Sequence, residues 1–97
     1  MFDTNEYFDG KVKSIAFTSK TKTATLPATV GVMAVGDYVF NTGEKEKMTV
    51  VSGAMTIKLA GETESQTFNV GESFDVEANS SFDVSIAEET AYLCIYG

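Results

Sequence analysis

A single all-β domain, a barrel or tight sandwich of about nine short strands, is the fold class this sequence predicts. Three observations lead there. Apolar and polar residues alternate with period two along most of the chain, the mark of strands with one buried face. Turn residues (Gly53, Gly61, Gly71 and Asn79-Ser80) recur at short, regular intervals. No stretch carries the periodicity of a long amphipathic helix. The 97 residues, 43% apolar and 22% charged, suffice for one core and one domain, residues 1–97.

The elements follow in chain order. Lys11 to Phe17 reads as a first strand and Thr29 to Ala34 as a second. The segment between them, Thr18 to Ala28, is threonine-rich and interrupted by Lys20, Lys22 and Pro27, and is expected to be a surface loop. A third strand has Tyr38, Phe40 and Thr42 on one face and Asp37, Val39 and Asn41 on the other. Met48 to Ser52 and Ala54 to Leu59 flank Ser52-Gly53, where a hairpin turn is expected because glycine takes positive φ freely. Met55, Ile57 and Leu59 then face the core. Gln66 to Val70, Ser73 to Glu77, Phe82 to Ile86 and Ala91 to Tyr96 complete the set. Closing such strands on one another removes exposed edges.

Charge narrows the function. Seven lysines against fourteen Asp and Glu, with no arginine, give a net charge of −7. Such a field repels polyanions, so nucleic acid is not an expected partner, although a small anion needs only local donors. Cys94 is the one cysteine and has no intrachain partner, which fits a reducing compartment. No histidine exists to act as its base, so a small apolar strand residue is a better reading than a catalytic thiol. The N-terminus lacks the basic and apolar runs of a signal peptide, and no stretch has transmembrane length, so no membrane partner and a cytoplasmic location are expected. A chain this short leaves much surface exposed, and a homodimer is the expected way to cover some of it.

One spacing points to a particular barrel. Glu46 is followed seven positions later by Gly53, which resembles the glutamate-to-glycine half of the first cupin signature. The two histidine positions of that signature fall on Phe40 and Thr42. Gly71 matches the opening glycine of the second signature, whose histidine position falls on Phe82. The resemblance implies a cupin-type (RmlC-like) β-barrel or jelly roll with every imidazole replaced. One carboxylate is too few ligands for a transition metal, so no metal or other cofactor is expected. Side chains at the ligand positions would instead line a pocket: Phe40 and Phe82 as two aromatic faces, Thr42 as a hydroxyl, Glu46 as a carboxylate. That set suits a flat ring joined to a polyol, as in a nucleoside. The alternatives are ordinary core phenylalanines and a solvated charged turn over Glu44, Lys45, Glu46 and Lys47. Lys11 and Lys13 share a face with Ile15 and Phe17, which would turn both ammonium groups toward the apolar side, where they could meet an anion.

Longer stretches carry a closer match. Asn5-Glu6-Tyr7-Phe8, Gly10-Lys11-Val12-Lys13-Ser14-Ile15, Gly31-Val32-Met33, Met48-Thr49-Val50-Val51-Ser52-Gly53 and Thr90-Ala91-Tyr92-Leu93-Cys94-Ile95-Tyr96, in this order, resemble the small pyrimidine/purine nucleoside phosphorylase family. Tyr38, Phe40, Thr42, Glu44, Glu46 and Met48 follow its pattern residue by residue, while Ala60 and Glu77 depart from expected prolines at turns. The resemblance implies a metal-free enzyme that cleaves purine and pyrimidine nucleosides with inorganic phosphate as co-substrate. On that footing Lys11 and Lys13 would dock phosphate, Glu46 and Thr42 would act at the sugar, and Phe40, Met48, Phe82, Tyr92 and Glu44 would hold the substrate. Tyr92 and Tyr96 share a face with Cys94 whose direction strand parity alone leaves open. A non-catalytic cupin that binds a nucleoside or sugar is the other reading.

Overall fold

The computed structural model describes residues 2–97. Ten strands form two sheets. They are β1 (Thr4–Tyr7), β2 (Val12–Lys20), β3 (Thr25–Met33), β4 (Gly36–Asn41), β5 (Glu46–Ser52), β6 (Ala54–Leu59), β7 (Gln66–Asn69), β8 (Ser73–Val76), β9 (Ser81–Ile86) and β10 (Thr90–Tyr96). One sheet runs β1-β2-β3-β10-β5-β8, the other β4-β9-β6-β7, and every pairing is antiparallel. Among the described residues no ladder joins the two, so the fold is an open jelly-roll sandwich and the barrel does not close. The core lies between the sheets, where Val12, Met33, Met48, Val50 and Tyr92 meet Tyr38, Met55, Ile57, Phe82, Val84 and Ile86.

Three expectations change. The stretch from Thr18 to Ala28 is mostly strand, with only residues 21–24 left as the turn between β2 and β3. Its threonines have the β-branched side chains that strands favour. Pro27 is tolerated for a geometric reason. The Ala16 N–H donates to the Asp3 carbonyl on the β1 side, so odd residues of β2 bond to β3, and Thr18 opposite Pro27 is a non-hydrogen-bonded pair. Proline's missing N–H therefore falls on the β10 side, just where that ladder stops at Ala28–Ile95.

Ser52-Gly53 is not a hairpin. β5 lies in the six-stranded sheet and β6 in the four-stranded one, so Gly53 turns the chain from one layer to the other. Its φ is 86°, and a Cβ there would stand 2.5 Å from Thr90 Oγ1 and 2.8 Å from the Glu89 carbonyl. Glycine is needed for both conformation and space. Finally, β1 adds a strand ahead of the first expected one. Its signal was Asp9-Gly10, a turn pair between two short runs.

Candidate functional site

Glu46 is carried to the inner face by its own strand. Met48 and Val50 are 3% and 1% exposed in the core, and the period of two puts Glu46, the first residue of β5, on the same side at the end of the sandwich. Lys45 and Lys47 alternate outward. Tyr96 of β10 lies opposite Glu46, and Cys94 lies opposite Met48. The Cys94 thiol donates to Glu46 Oε1 at 3.5 Å.

Above this pair opens a cavity of about 310 Å3, in the range that holds a small-molecule ligand. Its walls differ in chemistry. One side is aromatic: Phe40 and Phe82 are paired across β4 and β9, and Phe8 reaches in from the β1–β2 turn. The Phe40 and Phe82 rings stack on each other at 5.6 Å between centroids and 27° between planes. Stacked on each other, they present the cavity with one aromatic surface where two faces were expected. Phe8 meets Phe40 edge-on at 5.4 Å. Phe8 itself has φ of 54°, and Asp9 and Gly10 follow at 57° and 82°. Positive φ is unusual for a bulky residue, and this turn uses it to bring an aromatic ring to the cavity mouth.

The other side is polar. Tyr92 and Tyr96 both face the cavity, which settles the direction of the β10 face. Ser14 sits beside Tyr92, and Asn5 Nδ2 donates to Ser14 Oγ at 3.3 Å. The Tyr96 hydroxyl lies 3.2 Å from Thr29 Oγ1. The Tyr92 ring lies over Gly31, where a Cβ would come within 2.7 Å of the phenol oxygen and 2.6 Å of the Lys13 carbonyl.

Burial sets the proton affinities. Desolvation raises the Glu46 carboxyl above its ordinary 4.5, with the Cys94 hydrogen bond opposing it. The Cys94 thiol is pushed up to about 12, first by burial and then by the nearby Glu46 carboxylate, which keeps it a protonated, inert donor. Burial lifts Tyr92 to about 12 against the opposing Ser14 hydroxyl, and lifts Tyr96 further in the same direction against the Thr29 hydroxyl. The site thus offers one carboxyl group and two phenols that remain donors at neutral pH.

Of the residues singled out from sequence, Phe40, Glu46, Met48, Phe82 and Tyr92 converge on this cavity. Four do not. Thr42 is buried, but its hydroxyl donates to the Glu77 carbonyl at 2.6 Å and accepts from the Ser80 N–H at 2.9 Å, pinning the end of β4 to the β8–β9 turn. Glu44 is exposed in the β4–β5 turn. Lys11 and Lys13 point outward, because Val12 and Ser14 are the buried residues of that run. Lys13 Nζ pairs with Glu6 at 3.3 Å on the surface. Sequence reasoning missed Tyr7, Phe8, Ser14 and Asn41 as lining residues. Among the described residues no group of three His, Cys, Asp or Glu could hold a metal ion, and no helix is long and apolar enough to cross a membrane.

Known proteins match this chain from end to end. The family described as pyrimidine/purine nucleoside phosphorylase matches residues 2–96. A relative from Psychromonas ingrahamii bearing that name is 61% identical over 95 residues, 98% of this chain and 97% of its own length. The crystal structure of a Vibrio parahaemolyticus protein of unknown function superposes with a TM-score of 0.92 at 45% identity, covering 100% of this chain and 99% of that one. An RmlC-like cupin from Shewanella frigidimarina superposes with a TM-score of 0.74 at 16% identity, over 98% of this chain and 82% of its own, and identifies the fold as cupin-type.

Proposed function

Because the chain belongs to the pyrimidine/purine nucleoside phosphorylase family, we propose that it cleaves purine and pyrimidine nucleosides with inorganic phosphate, giving free base and pentose 1-phosphate. The observation that carries this reading is Glu46, a half-buried carboxyl that lines the same nucleoside-sized cavity as Phe40 and Phe82.

In the reaction, a phosphate oxygen bonds to the anomeric carbon as the carbon–nitrogen bond to the base breaks. The bonding pair leaves with the base, which takes the proton that hydrogen phosphate gives up. Positive charge develops on the sugar in between. The Glu46 carboxylate accepts from the ribose hydroxyls and stabilises that charge, and its partly dry setting strengthens the attraction. The Phe40–Phe82 wall takes the face of the base, while the Tyr92 and Tyr96 phenols donate to its heteroatoms. Stacking reads every base alike, which fits broad specificity. No lysine lines the cavity among the described residues, so phosphate is met by neutral donors, the Asn41 amide and the Ser14 and Tyr7 hydroxyls.

Uridine, adenosine and inosine incubated with and without phosphate test this. Base release that requires phosphate, yields pentose 1-phosphate and survives a chelator is expected. Equal release without phosphate would replace phosphorolysis by hydrolysis, and no release with any of the three would leave a binding protein.

A further inference from the structure

We propose that Phe8 grades the substrates: its ring, held at the cavity mouth, packs against the outer ring of a purine nucleoside and stands beyond the reach of a pyrimidine. This role rests on the phosphorylase reading and names a side chain through which that same site tells two substrate classes apart.

Three of the rings that line the cavity form a chain of contacts. Phe82 and Phe40 are 5.6 Å apart between centroids, and Phe40 and Phe8 are 5.4 Å apart. Their burial is graded in the same order. Phe82 is 3% exposed, Phe40 is half-buried and Phe8 is 42% exposed, so the row leads from the interior to solvent. Glu46 meets the buried Cys94 thiol on the inner side of the cavity. A nucleoside with its sugar at Glu46 therefore lays its base along the row, pointing outward.

The two classes of base differ in how far they extend from the sugar. In a pyrimidine nucleoside the glycosidic nitrogen belongs to the single six-membered ring. In a purine nucleoside it belongs to the five-membered ring, and the six-membered ring is carried farther out. Phe40 and Phe82 meet the ring next to the sugar in either class. Only the purine continues to Phe8, where it gains a further aromatic contact.

The fold alone does not account for a large ring at this position. Phe8 has φ of 54°, in the left-handed region where glycine or asparagine is the undemanding choice, and much of its apolar surface is left in water. Yet the ring is held in place. It lies against Tyr38 at 4.9 Å, and Tyr38 is 4% exposed with its hydroxyl donating to the Ala34 carbonyl at 2.6 Å. A bulky side chain kept in an unfavourable backbone state, backed by a fixed ring and lining a cavity, is preorganised for a ligand.

Steady-state kinetics of Phe8→Gly on adenosine, inosine and uridine at saturating phosphate test the role. Glycine keeps the left-handed turn without strain and removes the ring. The kcat/KM for adenosine and inosine should fall about tenfold, the range of one base–aromatic contact, and that for uridine by only about threefold. The loss should lie in KM, because the contact is the same in the ground and transition states. Phe8→Tyr keeps the ring and should restore the purine values. If the glycine variant does not fold, Phe8→Asn takes its place, since asparagine also adopts the left-handed region. Equal losses for all three nucleosides, or a tyrosine variant as impaired as the glycine one, would overturn the role and leave Phe8 as a plug of the mouth. Binding separates that outcome from a failure of the phosphorylase reading. The chain has no tryptophan, so Phe8→Trp supplies a single fluorescent reporter at the mouth. Titrated without phosphate, adenosine and inosine should shift its emission and uridine should shift it less, whether or not the chain turns nucleosides over. That graded shift without turnover would remove the reaction and keep the contact. An emission that adenosine leaves unmoved up to its solubility limit, or that uridine moves equally, would remove the contact.

Discussion

Glu46→Gln removes a charge while keeping the shape of the side chain, and its effects on turnover and on stability are expected to run in opposite directions. On the proposed mechanism the sugar develops part of a positive charge in the transition state, taken as about half a unit. A unit carboxylate about 4 Å from a full charge is worth about 4 kcal/mol at an effective dielectric constant of 20. Half of that, with some gain from desolvation, is roughly 2.5 kcal/mol, or nearly a hundredfold in rate. Glutamine still accepts from the ribose hydroxyls, so KM should move much less than kcat. Steady-state kinetics on uridine and adenosine decide the matter. A variant with kcat within about threefold of normal would refute the electrostatic role of Glu46.

The same substitution makes an independent forecast about the fold. Burial raises the Glu46 carboxyl above 4.5, so the native state holds this proton more tightly than the unfolded chain does. Stability contributed by the protonated form is therefore complete at acid pH, and it is lost as pH rises from about 4.5 through the raised native value. Above that window the ionised carboxylate is a penalty that glutamine does not have. Glu46→Gln should melt a few degrees higher than the unmodified chain near pH 7, and the gap should close near pH 4. A gap of the same size at both pH values would assign the stabilisation to packing and exclude the titration.

Two further outcomes follow from the placement of particular residues. Lys11→Ala and Lys13→Ala should leave the phosphate dependence of the reaction unchanged in the isolated chain, because both side chains lie outside the cavity and Lys13 makes only an exposed ion pair; a severalfold rise in the phosphate KM for either would return the lysines to the site. Gly31→Ala should lower the melting temperature by roughly 10 °C, as expected for about 2 kcal/mol of overpacking, and should also lower kcat by moving the Tyr92 phenol; an alanine variant that melts with the unmodified chain would show that the Lys13 carbonyl and the Tyr92 ring yield freely.

What the sequence revealed and what it hid have a common cause. The inward direction of Glu46 is legible because its neighbours alternate cleanly: Met48 and Val50 inside, Lys45 and Lys47 outside. The same holds for Phe40 with Tyr38, and for Met55 with Ile57. In β2 the rule fails. Val12, Ser14 and Ala16 lie on one face and Lys13, Ile15 and Phe17 on the other, so both faces carry apolar residues and the larger ones lie outside. Reading the bigger hydrophobes as core turned Lys11 and Lys13 inward. Periodicity reports that a face is apolar, and it cannot tell whether that face is buried in the fold or stays on the surface. The misplaced lysines and the exposure of Ile15, Val30 and Val32 thus have one cause. A different physical limit hides Phe8. Its ring reaches the cavity only through consecutive positive φ values, a backbone state set by the β1–β2 pairing across Tyr7 and Val12, and not by any preference of phenylalanine. Asp9-Gly10 announces a turn, yet only the fold determines which side chain that turn delivers to the site.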